Sequence, residues 1–149
     1  MKRVSTLIGS ALLVALLAPA TIGLAQTASG SSALITRLSG ESEVPPVVTG
    51  GRGSVEANLN KQTRVMTWTV TFSGLSGPAT AAHFHGPAMA GENAGVILPL
   101  SGALASPMTG AATLTAEQAA DLIAGKWYVN LHTAANPNGE IRGQLTVLP

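Results

Sequence analysis

All three histidines of the chain lie in two short segments with the composition of β-strands, and their spacing predicts a metal site. His83 and His85 are two residues apart, so on a strand both side chains project from the same face. His132 lies in the second segment, and pairing of the two strands would bring it opposite the first two. Because neutral imidazole is a good ligand for both metals, we expect the three side chains to bind one copper or zinc ion.

The same histidines also have a structural interpretation. Each ring could hydrogen-bond to the backbone and hold the loops near Gly86 and Asn136 in place, and a His-X-His pair alone is a weak signal. The chain contains no cysteine, which argues against a structural zinc site or an iron–sulfur cluster. Met89 and Met108 are candidate soft ligands for Cu(I), with packing as the alternative. The small residues of Gly86-Pro87-Ala88 predict an open position for water or a small ligand.

Short alternating runs separated by glycine, proline and asparagine predict an all-β antiparallel fold, a sandwich or Greek-key barrel. From Arg64 to Phe72 apolar side chains occupy every second position, and Val55 to Leu59 alternates in the same way before the Asn60-Lys61 turn. Residues 140–147 predict a final half-buried strand. One connector helix is expected at 116–124, where Thr115 and Gln118 form a capping box and Gly125 supplies the C-terminal cap.

The two histidine segments have an apolar face of their own. In residues 79–85 the natural core residue is Phe84, and in residues 127–133 the apolar face consists of Trp127, Val129 and Leu131. The histidines occupy the opposite face of each strand. We therefore expect them on the side turned from the core, or in a pocket at its edge.

The N-terminal residues predict export. Residues 1–25 have the basic start and apolar run (Val4–Leu17) of a secretory signal peptide. This run is shorter than the ~20 residues that a bilayer requires and is followed by Pro19, so no stable membrane insertion is expected after cleavage. Residues 26–32 predict a flexible tether and residues 33–149 a single domain. The expected location is secreted or periplasmic, in the cell envelope.

Charge and motif content exclude several function classes. After removal of residues 1–25, six basic residues face seven acidic ones without a basic cluster, so the chain has no electrostatic footprint for nucleic acid. No serine lies in a nucleophile elbow, and no glycine-rich phosphate loop precedes a helix. A non-enzymatic role is therefore favoured, with no catalytic residue assigned.

Seven short motifs follow one another along residues 34–147 in a specific order. They are Leu38-Ser39-Gly40, Glu43-Val44-Pro45-Pro46, Gly74-Leu75-Ser76-Gly77, residues 82–88 (AHFHGPA), residues 122–125, residues 128–133 (YVNLHT) and residues 136–145 (NPNGEIRGQL). This series resembles the CHRD domain, the module named from chordin. The resemblance implies an exported single-domain protein of the bacterial type. Chordin itself is an extracellular antagonist of growth factors, a role that a bacterial copy need not share.

Two functions remain open at this point. The first is metal handling or stabilisation in the envelope through His83, His85 and His132. The second is a metal-free extracellular binding or adhesion module with a protein or polysaccharide partner. Around the site, Glu140 and Arg142 hydrogen-bond to the 136–139 turn, orient His132 or form a surface pair. Glu43 is either a functional carboxylate or a solvated loop residue.

Overall fold

The computed structural model describes residues 30–149, which form one nine-stranded antiparallel sheet and one α-helix. The elements are β1 (Ser31–Ser39), a 3-10 turn (Gly40–Ser42), β2 (Arg52–Asn60), β3 (Val65–Ser73), β4 (Ala79–His85), β5 (Val96–Pro99), β6 (Met108–Thr113), α1 (Ala116–Ile123), β7 (Tyr128–Thr133), β8 (Ile141–Gln144) and β9 (Thr146–Val147). The sheet curls into a half-barrel, which confirms the all-β antiparallel prediction. No helix within these 120 residues is both long and apolar enough to cross a bilayer.

The predicted signal peptide lies outside the described residues, as do residues 26–29 of the predicted tether. The predicted end of the tether, at residue 32, is wrong. β1 begins at Ser31, and Ser31 and Ser32 pair with Asn60 and Leu59 of β2. Backbone pairing does not depend on apolar side chains, so two serines can extend a strand whose sequence pattern starts only at residue 33.

The strands are ordered β5-β4-β7-β8-β1-β2-β3-β6, with β9 also paired to β1. The β2–β3 hairpin forms around Asn60 as predicted. The curl brings β3 against β4. The ring centre of Trp68 lies 5.2 Å from that of Phe84, which in turn lies 6.1 Å from that of Trp127. Gly110 leaves the space for Trp68, since a Cβ at that position would overlap the indole. These aromatic contacts anchor the inner face of β4 and β7 and fix which residues face outward.

The helix confirms the capping prediction. The Gln118 N–H donates to Thr115 Oγ1 at 3.1 Å, and the Thr115 N–H donates to Gln118 Oε1 at 2.9 Å. Leu122 is fully buried against the sheet, and Gly125 ends the connector with a positive φ of 73°. The helix therefore returns the chain to the start of β7.

The prediction of one half-buried final strand is wrong in two respects. Residues 141–147 form two short strands, β8 paired to β7 and β9 paired to β1. β8 is buried on both faces, because Ile141 packs in the core while Arg142 on the other face is 2% exposed. The second face is covered by the loop of residues 86–95, which no local pattern in β8 indicates.

Candidate metal centre

β4 and β7 bring the three histidines onto one face of the sheet. The strands are antiparallel neighbours, with His83 opposite Asn130 and Ala81 opposite His132. On the reverse face Phe84 and Leu131 are fully buried. The predicted separation of histidine and apolar faces is therefore confirmed.

The three imidazoles converge on one point. One ring nitrogen from each histidine lies within 4.8 Å of the others, and His83 Nδ1 is 3.1 Å from His132 Nε2. The His85 ring centre lies 5.5 Å from that of His83 and 6.4 Å from that of His132. Bonds of about 2.0 Å at tetrahedral angles place donor nitrogens about 3.3 Å apart. Movements on the order of 1 Å would thus close the three rings around one ion.

Backbone carbonyls fix the tautomers of two of the rings. His85 Nδ1 lies 3.0 Å from the Ala94 oxygen, and His132 Nδ1 lies 2.9 Å from the Pro137 oxygen. A carbonyl oxygen only accepts, so Nδ1 carries the hydrogen in both rings and Nε2 keeps its lone pair. Metal-binding histidines are typically oriented in this way, through the ring nitrogen that does not bind the metal.

The surroundings favour the neutral, ligand-competent form of two histidines. Burial lowers the pKa of His83, and the neighbouring His132 and His85 lower it further. Burial also lowers the pKa of His85; the Ala94 carbonyl and the Asn130 amide oppose this shift, and the charges of His132 and Arg142 add to it. Only the neutral ring can bind a metal, so these shifts favour the form that a metal ion would need.

The 86–95 loop folds back over His85. The Tyr128 O–H donates to the Ala94 oxygen at 3.2 Å, and the Ala94 N–H donates to the Tyr128 oxygen at 3.1 Å. His85 is 8% exposed in consequence, so the expected open position at Gly86 to Ala88 is not found there. His83 and His132 are half-buried, and access from solvent is on their side.

The two methionines proposed as soft ligands differ in environment. Met108 is 5% exposed and packs in the hydrophobic core, so its role is packing. Met89 is exposed on the 86–95 loop, where its N–H bonds to Glu92. Among the histidine and acidic side chains of residues 30–149, the group that converges on the centre is the three imidazoles.

The Arg142 side chain fixes the 86–95 loop through hydrogen bonds. The Tyr128 ring stacks on the His85 ring at 4.8 Å and 2°, and the Arg142 guanidinium carbon lies 3.4 Å from the Tyr128 ring centre. Arg142 Nη1 donates to Asn93 Oδ1 at 2.8 Å, and Nη2 donates to the backbone carbonyl oxygen of Glu92 at 2.5 Å. The surface-pair hypothesis for Arg142 is therefore wrong, because its side chain is buried and bonds to the loop.

Glu140 is the hub of a second buried cluster. Its Oε1 accepts hydrogen bonds from Thr49 Oγ1 at 2.6 Å and the Ser76 N–H at 2.7 Å; Oε2 accepts from the Ser76 and Thr133 hydroxyls, both at 2.6 Å. Despite the opposing effect of burial, these bonds lower the pKa of Glu140 from 4.5 to about 2. Glu140 is neither a surface residue nor a direct partner of His132, whose orientation comes from the Pro137 carbonyl.

Glu43 is 6% exposed, so the solvated-loop interpretation is wrong. Burial raises its pKa to about 7, although Arg142, Asn130 and the Val44 backbone favour the charged form. The Asn130 amide interacts with both Glu43 and His85 and so connects the carboxyl group to the metal centre. Gly139 is required beside this pair, because it has a φ of 129° and a Cβ would overlap Glu43 and Asn130.

A prediction follows for the substitution Glu43→Gln. The pKa of Glu43 is higher in the folded state than in the unfolded state, so the folded protein loses stability as pH rises from about 4.5 through about 7. We expect Glu43→Gln to increase the free energy of unfolding by about 1 to 2 kcal/mol at pH 8 and to leave it nearly unchanged at pH 4. Urea denaturation at both pH values measures this, with the exposed Glu41→Gln as the matched control. Equal effects of the Glu43 change at both pH values would contradict it.

Sequence reasoning missed Tyr128 and Asn130 as parts of the site. Both are at most 3% exposed and lie on the histidine face of β7. Their alternation with Trp127, Val129 and Leu131 was the available signal, because it places them beside His132. The depth of their burial has no local signal.

Comparison with protein families found one match, in which the model of the CHRD domain covers residues 34–145. Neither the curated proteins nor the solved structures gave a match.

Proposed function

We propose that this chain, which belongs to the CHRD domain family, binds a single copper or zinc ion through His83, His85 and His132. In this proposal the bound ion serves metal handling or stabilisation in the cell envelope. The observation that carries it is the convergence of one nitrogen from each ring within 4.8 Å. Two of the three rings already present an Nε2 lone pair, so the site needs little rearrangement to bind an ion.

His83 is the ring that must adjust. In the neutral, metal-free protein His132 Nε2 has no hydrogen, so His83 Nδ1 carries the proton of the 3.1 Å contact between them. Metal binding replaces this hydrogen bond, with the His83 proton moving to Nε2 if Nδ1 becomes the ligand. Its half-buried position leaves the ring space to do so.

The location in the envelope rests on residues 1–25. Their basic start and apolar run are those of a signal peptide, and the absence of cysteine fits either an oxidising or a reducing compartment. A fusion of residues 1–32 to a reporter that is active only outside the cytoplasm tests export. Reporter activity that persists when charges interrupt the 4–17 run, with Lys2 and Arg3 retained, would contradict it.

Direct titration tests the metal site. The protein, purified without a histidine tag, is titrated with Cu(I), Cu(II) and Zn(II) beside the triple variant His83→Ala, His85→Ala, His132→Ala. We expect one equivalent of ion to bind to the wild type and none at the same concentrations to the triple variant. Binding that is equally tight in both proteins would end the metal proposal.

A second candidate function is a metal-free module that binds an extracellular protein or polysaccharide. One observation favours it: four of the six ring nitrogens already have hydrogen-bond partners without a metal. If the histidines only stabilise the neighbouring loops through hydrogen bonds, the triple variant should be less stable than the metal-free wild type. Added metal would then leave the wild-type unfolding temperature unchanged.

A further inference from the structure

We infer that the three-histidine centre selects monovalent copper, Cu(I), over divalent ions, because the protein surrounds it with neutral donors and a buried positive charge. The inference rests on the proposed metal binding and adds the charge of the ion. It follows from three features: the charges of the ligands, the position of Arg142, and the number of donors.

The ligand set carries no negative charge. Three neutral imidazoles form the metal-binding group, and no carboxylate joins them among residues 30–149. The groups that orient His85 and His132 are the carbonyl oxygens of Ala94 and Pro137, rather than the carboxylates that often play this part. These ligands would therefore leave both positive charges of a divalent ion without compensation in a half-buried site.

Arg142 adds a fixed positive charge behind the centre. Its guanidinium group lies against one face of the Tyr128 ring, and His85 stacks on the other face. Arg142 is 2% exposed and disfavours positive charge on His85. The same repulsion acts on a bound ion and doubles when the ion is divalent. With the Tyr128 ring between the guanidinium group and His85, we expect each added unit of charge on the ion to weaken binding by about tenfold.

Glu43 is the acidic residue connected to this site through side-chain contacts, and it does not cancel the positive charge of Arg142. Glu43 interacts with Arg142, but the Asn130 amide stands between it and His85. Burial keeps the Glu43 carboxyl group largely protonated below about pH 7. At mildly acidic pH the centre therefore experiences the charge of Arg142.

The number of donors points the same way. Zinc that is held by three histidines takes a water as its fourth ligand, and Cu(II) favours tetragonal geometry with nitrogen and oxygen donors. The histidines supply three nitrogen donors, so a divalent ion would have to complete its coordination with water from the half-exposed side of His83 and His132. Cu(I), a closed-shell ion of low charge, accepts three donors without water.

The test compares affinities at pH 6.5 under anaerobic conditions. Cu(I) is measured by competition with bicinchoninate in the presence of ascorbate, and Zn(II) and Cu(II) by competition with chromophoric chelators. We expect the wild type to bind Cu(I) at least tenfold more tightly than either divalent ion. A divalent ion that binds as tightly as Cu(I), or more tightly, overturns the inference while leaving the metal site proved.

Two variants test whether charge is the cause. Asn130→Asp places a carboxylate beside His85, and Ala81→Asp does so at the half-buried position opposite His132. Each should reduce the preference for Cu(I) over Zn(II) by about tenfold, while Asn58→Asp, on an exposed position of β2, should leave it unchanged.

The second variant keeps the test valid if a carboxylate at the buried Asn130 prevents folding. A preference that stays constant in a folded acidic variant overturns the inference. Metal binding no stronger than in the triple alanine variant instead refutes the proposed function itself.

Discussion

Alanine at His85 is expected to weaken binding of the preferred ion by at least about 100-fold, the largest effect of any single ligand substitution. His85 is the most buried of the three ligands, and its Nδ1–H is fixed by the Ala94 carbonyl. Its Nε2 is buried without a hydrogen-bond partner of good geometry, so a metal would supply the interaction that this atom lacks. His83, which must first give up its bond to His132, gains less from binding and should lose less on removal.

The measurement is a chelator competition on His85→Ala and His83→Ala, combined with thermal unfolding with and without metal. An ion at 100 times its dissociation constant stabilises the wild type by about 2.7 kcal/mol, and this increment should vanish in His85→Ala. The matched control is Tyr128→Phe, which keeps the stack on His85 but removes the hydroxyl bonded to Ala94. We expect it to cost about tenfold in affinity. If Tyr128→Phe costs as much as His85→Ala, direct ligation by His85 is wrong.

The sequence predicts the part of the site that depends on local alternation. The two-residue spacing of His83 and His85 puts both on one face, and the apolar residues at Phe84 and Leu131 decide which face it is. The pairing of β4 with β7, which brings in His132, was a hypothesis that the structure bears out; an apolar face alone does not select the partner, because β2 and β3 carry one as well. Local periodicity was sufficient for the face of each histidine but not for the pairing.

What lies over that face could not be predicted in this way. Arg142 and Asn93 are 49 residues apart in the chain, yet their hydrogen bond holds the loop that buries His85. A charged residue alternating with Ile141 and Gly143 indicates a solvent-facing position, and the usual rule for arginine agrees. The rule fails because Arg142 finds a planar ring and two oxygen acceptors beneath the loop, which compensate for its burial.

The same reasoning explains why Glu43 and Glu140 were both misplaced. Each looked like a loop or edge carboxylate, and each is buried by residues distant in sequence. They differ in their partners: Glu140 accepts four short hydrogen bonds, while the favourable effects of Arg142, Asn130 and the Val44 backbone on Glu43 do not offset its burial. Burial alone therefore moves one pKa up, and hydrogen bonding moves the other down.

Glutamine at Glu140 is expected to lower the free energy of unfolding by about 3 kcal/mol at pH 7, the largest stability effect we predict. The amide keeps the shape of the carboxyl group, but its NH₂ replaces one oxygen that accepts two of the four hydrogen bonds. The two donors that share that oxygen then lose their acceptor inside a fully buried cluster. Each buried donor left without a partner costs about 1 to 3 kcal/mol.

The pH dependence separates this mechanism from a packing defect. Because the folded-state pKa of Glu140 is depressed, its stabilisation is complete above 4.5 and is lost as pH falls towards about 2. The wild type should therefore lose its advantage over Glu140→Gln between about pH 5 and pH 2, as measured by urea denaturation at each pH. Glu56→Gln, at an exposed position of β2, is the matched control and should change little at any pH. A Glu140→Gln deficit that stays constant down to pH 2 would show that a packing defect, rather than loss of the carboxylate charge, destabilises the variant.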